Sequence, residues 1–302
     1  MSAKVVVVGS LNMDLVARAE RLPRAGETLA GESFFTVPGG KGANQAVAAA
    51  RLGAGVAMVG SVGDDAYGEQ LRKALEVENI DCQAVNVCPG VSSGVALITV
   101  DAASQNCIVI IPGGNGLLTP AAVQHFDGLL QAAELIICQL EVPADTVAWT
   151  LARARELGKT VILNPAPATG PLPPEWFAHI DYLIPNESEA EALTGEPVND
   201  QASARRAAER LLQLGAGKVI ITLGAQGALF VSRDGSQHFP APQVKALDTT
   251  AAGDTFVGGF AAALVRGLEE GEAIIFGQRA AALSVTRAGA QPSIPTLAEL
   301  IP

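Results

Sequence analysis

Residues 135–163 read LIICQLEVPADTVAWTLARARELGKTVIL, and their reading decides the fold. Leu135–Gln139 opens with a continuous apolar run, the pattern of a strand covered on both faces. Ala144–Leu157 has helix-forming composition and helical spacing, and Gly158 stops it. Thr160–Leu163 is a second apolar run. A strand, a helix and a strand in immediate succession predict a crossover between parallel strands.

The same rhythm extends in both directions. Downstream it predicts a strand near Tyr182–Ile184, a short helix Glu187–Leu193 ended by Gly195, and a helix Gln201–Leu214 ended by Gly215. A strand Lys218–Thr222, a β-rich stretch Ala228–Phe239 and two helices, Ala252–Arg266 and Glu270–Thr286, follow. Upstream lie the strand Val5–Val8 closed by Gly9-Ser10, an Ala-rich helix Gly42–Leu52, a strand Val56–Gly60, a helix Ala66–Glu78 and a helix Pro120–Gln131. The predicted fold class is α/β: a central, mostly parallel sheet flanked by helices in a Rossmann-like three-layer arrangement.

Two segments break the rhythm. Leu11–Pro38 carries Pro23, Gly26, Gly31 and Pro38 among short alternating stretches. In Ser92–Ile111, Val95–Val100 and Cys107–Ile111 flank a polar turn, Asp101 to Asn106. Both read as short antiparallel strands outside the main sheet. The expected organisation is a body of residues 1–11, 39–91 and 112–302 with a small β lid of residues 12–38 and 92–111.

The formal net charge is −11, and Lys and Arg form no cluster along the chain. This excludes a basic nucleic-acid face and disfavours anionic membranes. Any anionic ligand must therefore be held by a local device, such as backbone amides or a metal ion. Cys82, Cys88, Cys107 and Cys138 form no C-x-x-C pair, as expected of free thiols in a reducing compartment. With no apolar run of membrane-spanning length and no signal-peptide core, the expectation is a cytoplasmic protein.

Four junctions carry chemistry. Asp248-Thr249-Thr250-Ala251-Ala252-Gly253-Asp254 precedes an apolar helix. Small residues there leave the first helical N–H groups bare for phosphate oxygens. Asp254 reads either as a helix cap or as a base facing a hydroxyl that attacks that phosphate. Gly39-Gly40-Lys41-Gly42-Ala43-Asn44-Gln45 opens a helix but lacks the Ser or Thr of a Walker A loop. It is either a plain Gly-rich turn or a tight turn in which Lys41 and Asn44 bond a polar ligand. Asn12 and Asp14 follow the first strand, where open α/β sheets bind ligands; the pair is also ordinary loop chemistry. Asn186-Glu187-Ser188-Glu189 reads as a capping box or as a site for phosphate and magnesium.

In order, these segments resemble the ribokinase (PfkB-type) carbohydrate kinases. The similarity runs nearly end to end and includes both signature regions, Gly39–Gly60 and Asp248–Gly259. Asn164-Pro165-Ala166-Pro167-Ala168, Thr222-Leu223-Gly224 with Gly227, and Gly289-Ala290-Gln291-Pro292-Ser293 fall in matching order. The resemblance implies transfer of the ATP γ-phosphate, with Mg²⁺, to the primary 5-hydroxyl of a pentose, D-ribose before 2-deoxyribose or fructose. It implies that Asn12, Asp14, Gly40, Lys41, Gly42, Asn44 and Glu141 line the sugar pocket. Asp254 would be the base, with Ala252 and Gly253 giving an anion hole. Asn186 and Glu189 would serve phosphate and magnesium, and Thr222, Gly224 and Gly227 would border the nucleotide. Gln278 stands where the family often has His or Asn beside the adenine.

The resemblance also implies a K⁺ activator near Asp248, Thr250, Ser284, Arg287, Gly289 and Ser293. The residues alone leave this open: Asp248 and Ser293 could simply finish turns, although carbonyls with one carboxylate and one hydroxyl make a low-charge oxygen site that suits K⁺. A lid of short strands with open edges suggests a homodimer through the lid. Two other classes stand against the kinase reading. A dinucleotide-dependent oxidoreductase needs G-x-G-x-x-G after the first strand, which Gly9-Ser10-Leu11-Asn12 does not supply. A non-catalytic sugar-binding protein on the same fold would be expected to lose Asp254 or Gly253, and both are present.

Overall fold

The computed structural model describes residues 3–103 and 105–300. The outermost residues of the expected body, and Ser104 in the expected lid turn, lie outside them. In chain order the strands are β1 Val5–Val8, β2 Asn12–Arg18, β3 Ser33–Gly39, β4 Val56–Gly63, β5 Asp81–Cys88, β6 Gly94–Val100 and β7 Asn106–Ile111. They continue as β8 Leu135–Cys138, β9 Thr160–Leu163, β10 Tyr182–Leu183, β11 Lys218–Thr222, β12 Ala228–Ser232 and β13 Gly235–Phe239. The helices are α1 Lys41–Arg51, α2 Ala66–Val77, α3 Pro120–His125, α4 Asp127–Ala132, α5 Ala144–Glu156, α6 Glu187–Thr194, α7 Gln201–Gln213, α8 Ala252–Val265, α9 Glu270–Ser284 and α10 Leu297–Leu300.

The main sheet has the order β13-β12-β11-β10-β9-β8-β1-β4-β5. Every pairing is parallel from β11 across to β5, while β12 and β13 add an antiparallel hairpin. Alternation along each strand divides the core between the two faces. Val6, Val8, Ile136, Cys138, Val161 and Leu163 pack with α5 and α7 on one side. Val5, Val7, Leu135, Ile137 and Ile162 pack with α1, α8 and α9 on the other. The chain leaves β1 towards β4 and β5, then returns beyond it through β8, β9, β10 and β11. That reversal opens a crevice at the carboxyl ends of the central strands.

The lid is a four-stranded sheet, β3-β2-β6-β7. It is not wholly antiparallel as expected. β2 pairs β3 antiparallel and β6 pairs β7 antiparallel, but β2 and β6 run parallel. Both strands rise out of the body directly after parallel strands, β1 and β5, and so leave in the same direction. Two further expectations change. Residues 120–131 form α3 and α4 rather than one helix, because Phe126 leaves helical geometry and packs against the core. β5 was not foreseen. As an edge strand it buries Cys82, Ala84 and Val85 while Asp81, Gln83 and Asn86 interrupt the apolar run.

Candidate active site

The approach of α1 to α8 builds the centre of the site. A Cβ on Gly258 would lie 2.5 Å from the Ala48 Cβ and 2.6 Å from the Gln45 carbonyl oxygen. Glycine and alanine at this crossing let the helices nearly touch, which brings Asn44 and Gln45 to Asp254, one turn before Gly258. The Asp254 side chain is buried. Its Oδ2 accepts a hydrogen bond from Asn44 Nδ2 at 2.9 Å, and its Oδ1 accepts one from Gln45 Nε2 at 2.9 Å.

Asp254 stands in the first turn of α8, which begins after Ala251 in the left-handed region at φ 57°. That conformation is strained for a residue with a Cβ, by about 1–2 kcal/mol. No side chain caps this helix. The Ala252 N–H makes a long 3.2 Å bond to the Thr249 carbonyl, whereas the Gly253 and Asp254 N–H groups meet no acceptor among the described residues. Of the two residues expected to offer free amides, Gly253 does so outright and Ala252 is partly engaged. A Cβ on Gly253 would enter open space.

On the lid side, Asp14, Lys41, Asn44 and Glu141 gather around Asp254, with Asn12 two residues before Asp14. Asp14 lies on β2, Lys41 and Asn44 on α1, Asn12 at the start of β2, and Glu141 after β8. Burial pushes the Asp14 carboxyl up to about 7; repulsion from Glu141 and Asp254 adds to this and Lys41 partly offsets it. Burial pulls the Lys41 ammonium down, but the carboxylates of Asp254, Glu141, Glu189 and Asp14 outweigh it and raise its pKa. Lys41 forms no direct salt bridge with any of them. It is a central cation for the whole carboxylate group. Asn44 Oδ1 is buried without a partner among the described residues, so an acceptor is left aimed for a donor that the chain does not supply.

Glu141 also has a local task. Its Oε2 accepts from Ser10 Oγ at 2.5 Å and from the Lys41 N–H at 3.0 Å, which ties the β1 loop to the uncapped start of α1. Gly40, at φ 89°, and Gly42 are required by close approach: a Cβ on Gly42 would lie 2.5 Å from the Ser10 nitrogen.

Sequence reasoning assigned no role to Ser10, Gln45, Asn115, Gln139 or Asn164. Asn115 Nδ2 donates to Asn12 Oδ1 at 2.8 Å, so the Asn12 NH₂ is the end left to face a ligand. Gln139 and Asn164 each directly follow an apolar strand, β8 or β9. The strand-end rule that selected Asn12 applies equally to them.

Beyond Asp254 lies a cleft of about 350 Å³, lined by Thr222, Gly224, Gly227, Val244, Gly253 and Gln278 among others. Gln278 is buried and donates from Nε2 to the Phe239 carbonyl at 2.7 Å, which anchors the end of β13 at the cleft wall. Asn186 and Glu189 form a reciprocal capping box: Asn186 Oδ1 accepts the Glu189 N–H at 2.8 Å, and Glu189 Oε2 accepts the Asn186 N–H at 2.9 Å. The capping alternative is thus realised. Glu189 keeps Oε1 free, and burial raises its pKa, with Asn186 and Lys41 opposing.

The segment before α8 folds against the 289–293 loop. Asp248 Oδ1 accepts from the Thr250 N–H at 2.9 Å and from Thr250 Oγ1 at 2.6 Å, and Asp248 Oδ2 accepts from the Gly289 N–H at 2.8 Å. Among the described residues no donor reaches the Thr250 or Gly289 carbonyl oxygen. Ser284 and Ser293 give their hydroxyl protons to the Ala281 and Ala290 carbonyls. The Arg287 guanidinium turns away to Glu299, so only its main chain is available to this loop. Free carbonyls beside one carboxylate fit a weakly charged cation.

This geometry belongs to a known group of proteins. Residues 2–297 match the family model for the pfkB family carbohydrate kinases. The chain belongs to that family. It is 44% identical over 302 residues to the ribokinase of Haemophilus influenzae, covering 100% of this chain and 98% of that protein. It is 41% identical over 293 residues to the deoxyribokinase of Salmonella typhi, covering 97% and 96% respectively. The fold matches the Arabidopsis thaliana ribokinase complexed with ribose and ATP at a TM-score of 0.94 and 32% identity, over 100% of this chain and 98% of that one. As a pfkB-family carbohydrate kinase it is a phosphotransferase that acts on a sugar, with the ribokinase-like α/β body and a small separate sheet. No helix among the described residues is long and apolar enough to cross a membrane.

Proposed function

We propose that this kinase transfers the γ-phosphoryl group of Mg-ATP to the primary 5-hydroxyl of D-ribose, giving ribose 5-phosphate. The observation that carries this reading is the placing of Asp254. A buried carboxylate, held by an amide on each oxygen, stands between a polar sugar-side cluster and the open cleft, on a helix whose leading amides are free.

Phosphoryl transfer needs in-line positioning and stabilisation of charge more than covalent help from the protein. Asp14, Asn44 and Glu141, with the Asn12 NH₂, hold the sugar hydroxyls; Lys41 balances their charge. Asp254 takes the proton of the 5-hydroxyl as its oxygen attacks the γ-phosphorus. The Gly253 amide, joined by that of Ala252 when it leaves Thr249, and the α8 dipole receive charge on the transferred group. Thr222, Gly224, Gly227 and Gln278 border the nucleotide. The metal arrives with ATP; the free oxygen of Glu189 and the Asn186 side chain face its phosphates. Closure of the β2/β6 sheet over the sugar excludes water, the competing acceptor.

Two further parts belong to this reading. A K⁺ ion would be held by the Thr250 and Gly289 carbonyls with Asp248, supported by the Ser284, Arg287 and Ser293 segments, and would stiffen the turn entering α8. The lid exposes Phe34, Phe35, Leu97 and Ile108–Ile111, shared between its two faces, and its edges β3 and β7 are open, so two copies pair through their lids.

The acceptor is tested by ADP release with Mg-ATP and a sugar panel. The expected order in kcat/KM is D-ribose, then 2-deoxyribose, then fructose. The similar identities to a ribokinase and a deoxyribokinase make 2-deoxyribose the competitor to beat, and its preference over ribose would replace the acceptor named here. ADP release unaffected by any sugar would remove the kinase mechanism.

A further inference from the structure

Gln45 does not point at the sugar side of the site, although its neighbours Lys41 and Asn44 do. Its side chain is fully buried. Nε2 donates to Asp254 Oδ1 at 2.9 Å and to Asn164 Oδ1 at 3.0 Å, while Oε1 accepts from Gln139 Nε2 at 2.6 Å. Asn164 Nδ2 in turn donates to the Ile184 carbonyl at 2.9 Å. These bonds fix the amide's orientation: reversing Gln45 would set its oxygen against two oxygens and its NH₂ against the Gln139 NH₂. The result is a chain of buried amides from the ends of β8, β9 and β10 to a single oxygen of Asp254. Gln139 Oε1 has no partner among the described residues. The chain therefore tolerates a buried unpaired acceptor, which costs stability, and still keeps Gln139 as a donor to Gln45.

We propose that Gln45, oriented by Gln139 and Asn164, is a positioning residue that holds the Asp254 carboxylate aimed at the attacking hydroxyl. This inference rests on the reading of Asp254 as the base. The charged groups facing Asp254 come from separate elements: Lys41 on α1, Asp14 on β2 and Glu189 on α6, with Glu141 facing the first two. Lys41 acts on all four carboxylates together, whereas Gln45 and Asn44 act on Asp254 alone. Asn44 lies at the sugar side with its own oxygen unpaired, so Gln45 is the donor whose only partners belong to the protein.

The test is Gln45→Met, similar in length and without a donor, compared with Gln139→Met and Asp254→Asn. Steady-state kinetics are measured over a range of ribose and Mg-ATP concentrations at neutral pH, with thermal unfolding of each variant. For Gln45→Met, kcat should fall about 10- to 100-fold, the scale of a misplaced catalytic group. KM for ribose and for ATP should stay within a few-fold. Gln139→Met should lower kcat by less, again with KM nearly constant, and it carries the test if Gln45→Met does not fold. An unchanged kcat in a folded Gln45→Met or Gln139→Met enzyme overturns the inference, as does a loss confined to melting temperature or KM. If Asp254→Asn abolishes turnover while the glutamine variants behave as wild type, only the role of Gln45 falls. If Asp254→Asn keeps near-normal turnover, the base assignment falls and this inference with it.

Discussion

On the lid side of Asp254 the site presents Asp14, Lys41, Asn44 and Glu141; on the far side it presents Gly224, Gly227, Ala241, Val244 and Ala282. The first half is charged, with one buried acceptor left unpaired. The second sets small and apolar residues beside a few polar side chains, among them Asn186, Thr222 and Thr249 and a Gln278 already committed to Phe239. In the proposed reading the first half takes a sugar, a set of hydroxyls each needing its own partner, and the second takes a planar base and a phosphate chain, held by shape and by main-chain amides. Truncating a side chain should therefore hurt on the sugar side, and adding a methyl should hurt on the nucleotide side.

The largest expected effect lies at the boundary between the halves. Asp254→Asn keeps the shape and removes the base, and general-base loss costs about 10²–10⁴-fold in rate. We expect kcat to fall by that order with ribose affinity little changed, measured by turnover and by calorimetric titration. An enzyme within a few-fold of wild type would show that Asp254 only completes the first turn of α8.

The same contrast explains what could be read without coordinates. The body was legible because buried parallel strands such as Val5–Val8 and Thr160–Leu163 are uninterrupted apolar runs, and the structure reproduces both ranges. β5 escaped because an edge strand keeps polar residues on its open side. The parallel β2/β6 pairing escaped because strand direction is set by where each strand leaves the body, which no local pattern records. In the site, Asn12, Asp14, Lys41, Asn44 and Asp254 stood out as polar residues at strand ends and helix starts, while Glu141 came only from the family resemblance; the structure brings Asp14, Lys41, Asn44, Glu141 and Asp254 together. Gln45 and Gln139 did not stand out, because their partners are 209 and 94 residues away from Gln45 along the chain. Of the cleft wall, Asn186 and Gly253 were named from their motifs and Thr222, Gly224, Gly227 and Gln278 from the family resemblance, whereas apolar members such as Val244 and Ala282 carry no motif.

Next in size is the sugar side. Asp14→Ala should leave buried sugar hydroxyls without an acceptor, at about 1–3 kcal/mol, or roughly ten- to a hundredfold in the KM for ribose. KM for ATP should hardly move; a larger effect on ATP would erase the division between the halves. Asp14 also gives a pH signature. Its pKa of about 7 lies above the ordinary 3.8, so the folded protein binds this proton more tightly than the unfolded chain. The stability this brings is fully present below about pH 4 and is lost as pH rises through about 7. Asp14→Asn should therefore raise the Tm of the ligand-free enzyme at pH 8 but not at pH 4, while weakening ribose binding at pH 8.

On the nucleotide side the informative change is an addition. Gly253→Ala meets no neighbour, and alanine favours a helix over glycine by up to about 1 kcal/mol. Tm should be unchanged or slightly higher. The new methyl projects into the space assigned to the transferred phosphate, and overfilling of this kind costs about 1–3 kcal/mol. We expect kcat/KM to drop about tenfold, shared between ATP binding and turnover, with KM for ribose nearly constant. A Gly253→Ala enzyme of normal activity would mean that the leading amides of α8 do not approach phosphate.

The smallest expected effect comes from the loop that touches neither half. Asp248 is joined to Thr250 and Gly289 by three hydrogen bonds. Burial raises its pKa, but these donors outweigh that and hold the carboxyl below the usual value. A K⁺ ion on the Thr250 and Gly289 carbonyls would add a fourth tie to the same turn. Its benefit would reach the chemistry only through the backbone from Thr250 to Gly253. Activation should then be a few-fold, seen in kcat or in the KM for ribose. The measurement is activity in a K⁺ titration at constant ionic strength, with Na⁺ making up the balance. Na⁺ is smaller and needs a tighter oxygen cage, so it should substitute poorly. Asp248→Ala should lower the K⁺-saturated rate to about the Na⁺ level and flatten the titration, while Gly253→Ala should keep its K⁺ response. Equal rates in Na⁺ and K⁺ would leave Asp248 as a turn-closing carboxylate. A full K⁺ response in Asp248→Ala would move the cation away from this loop.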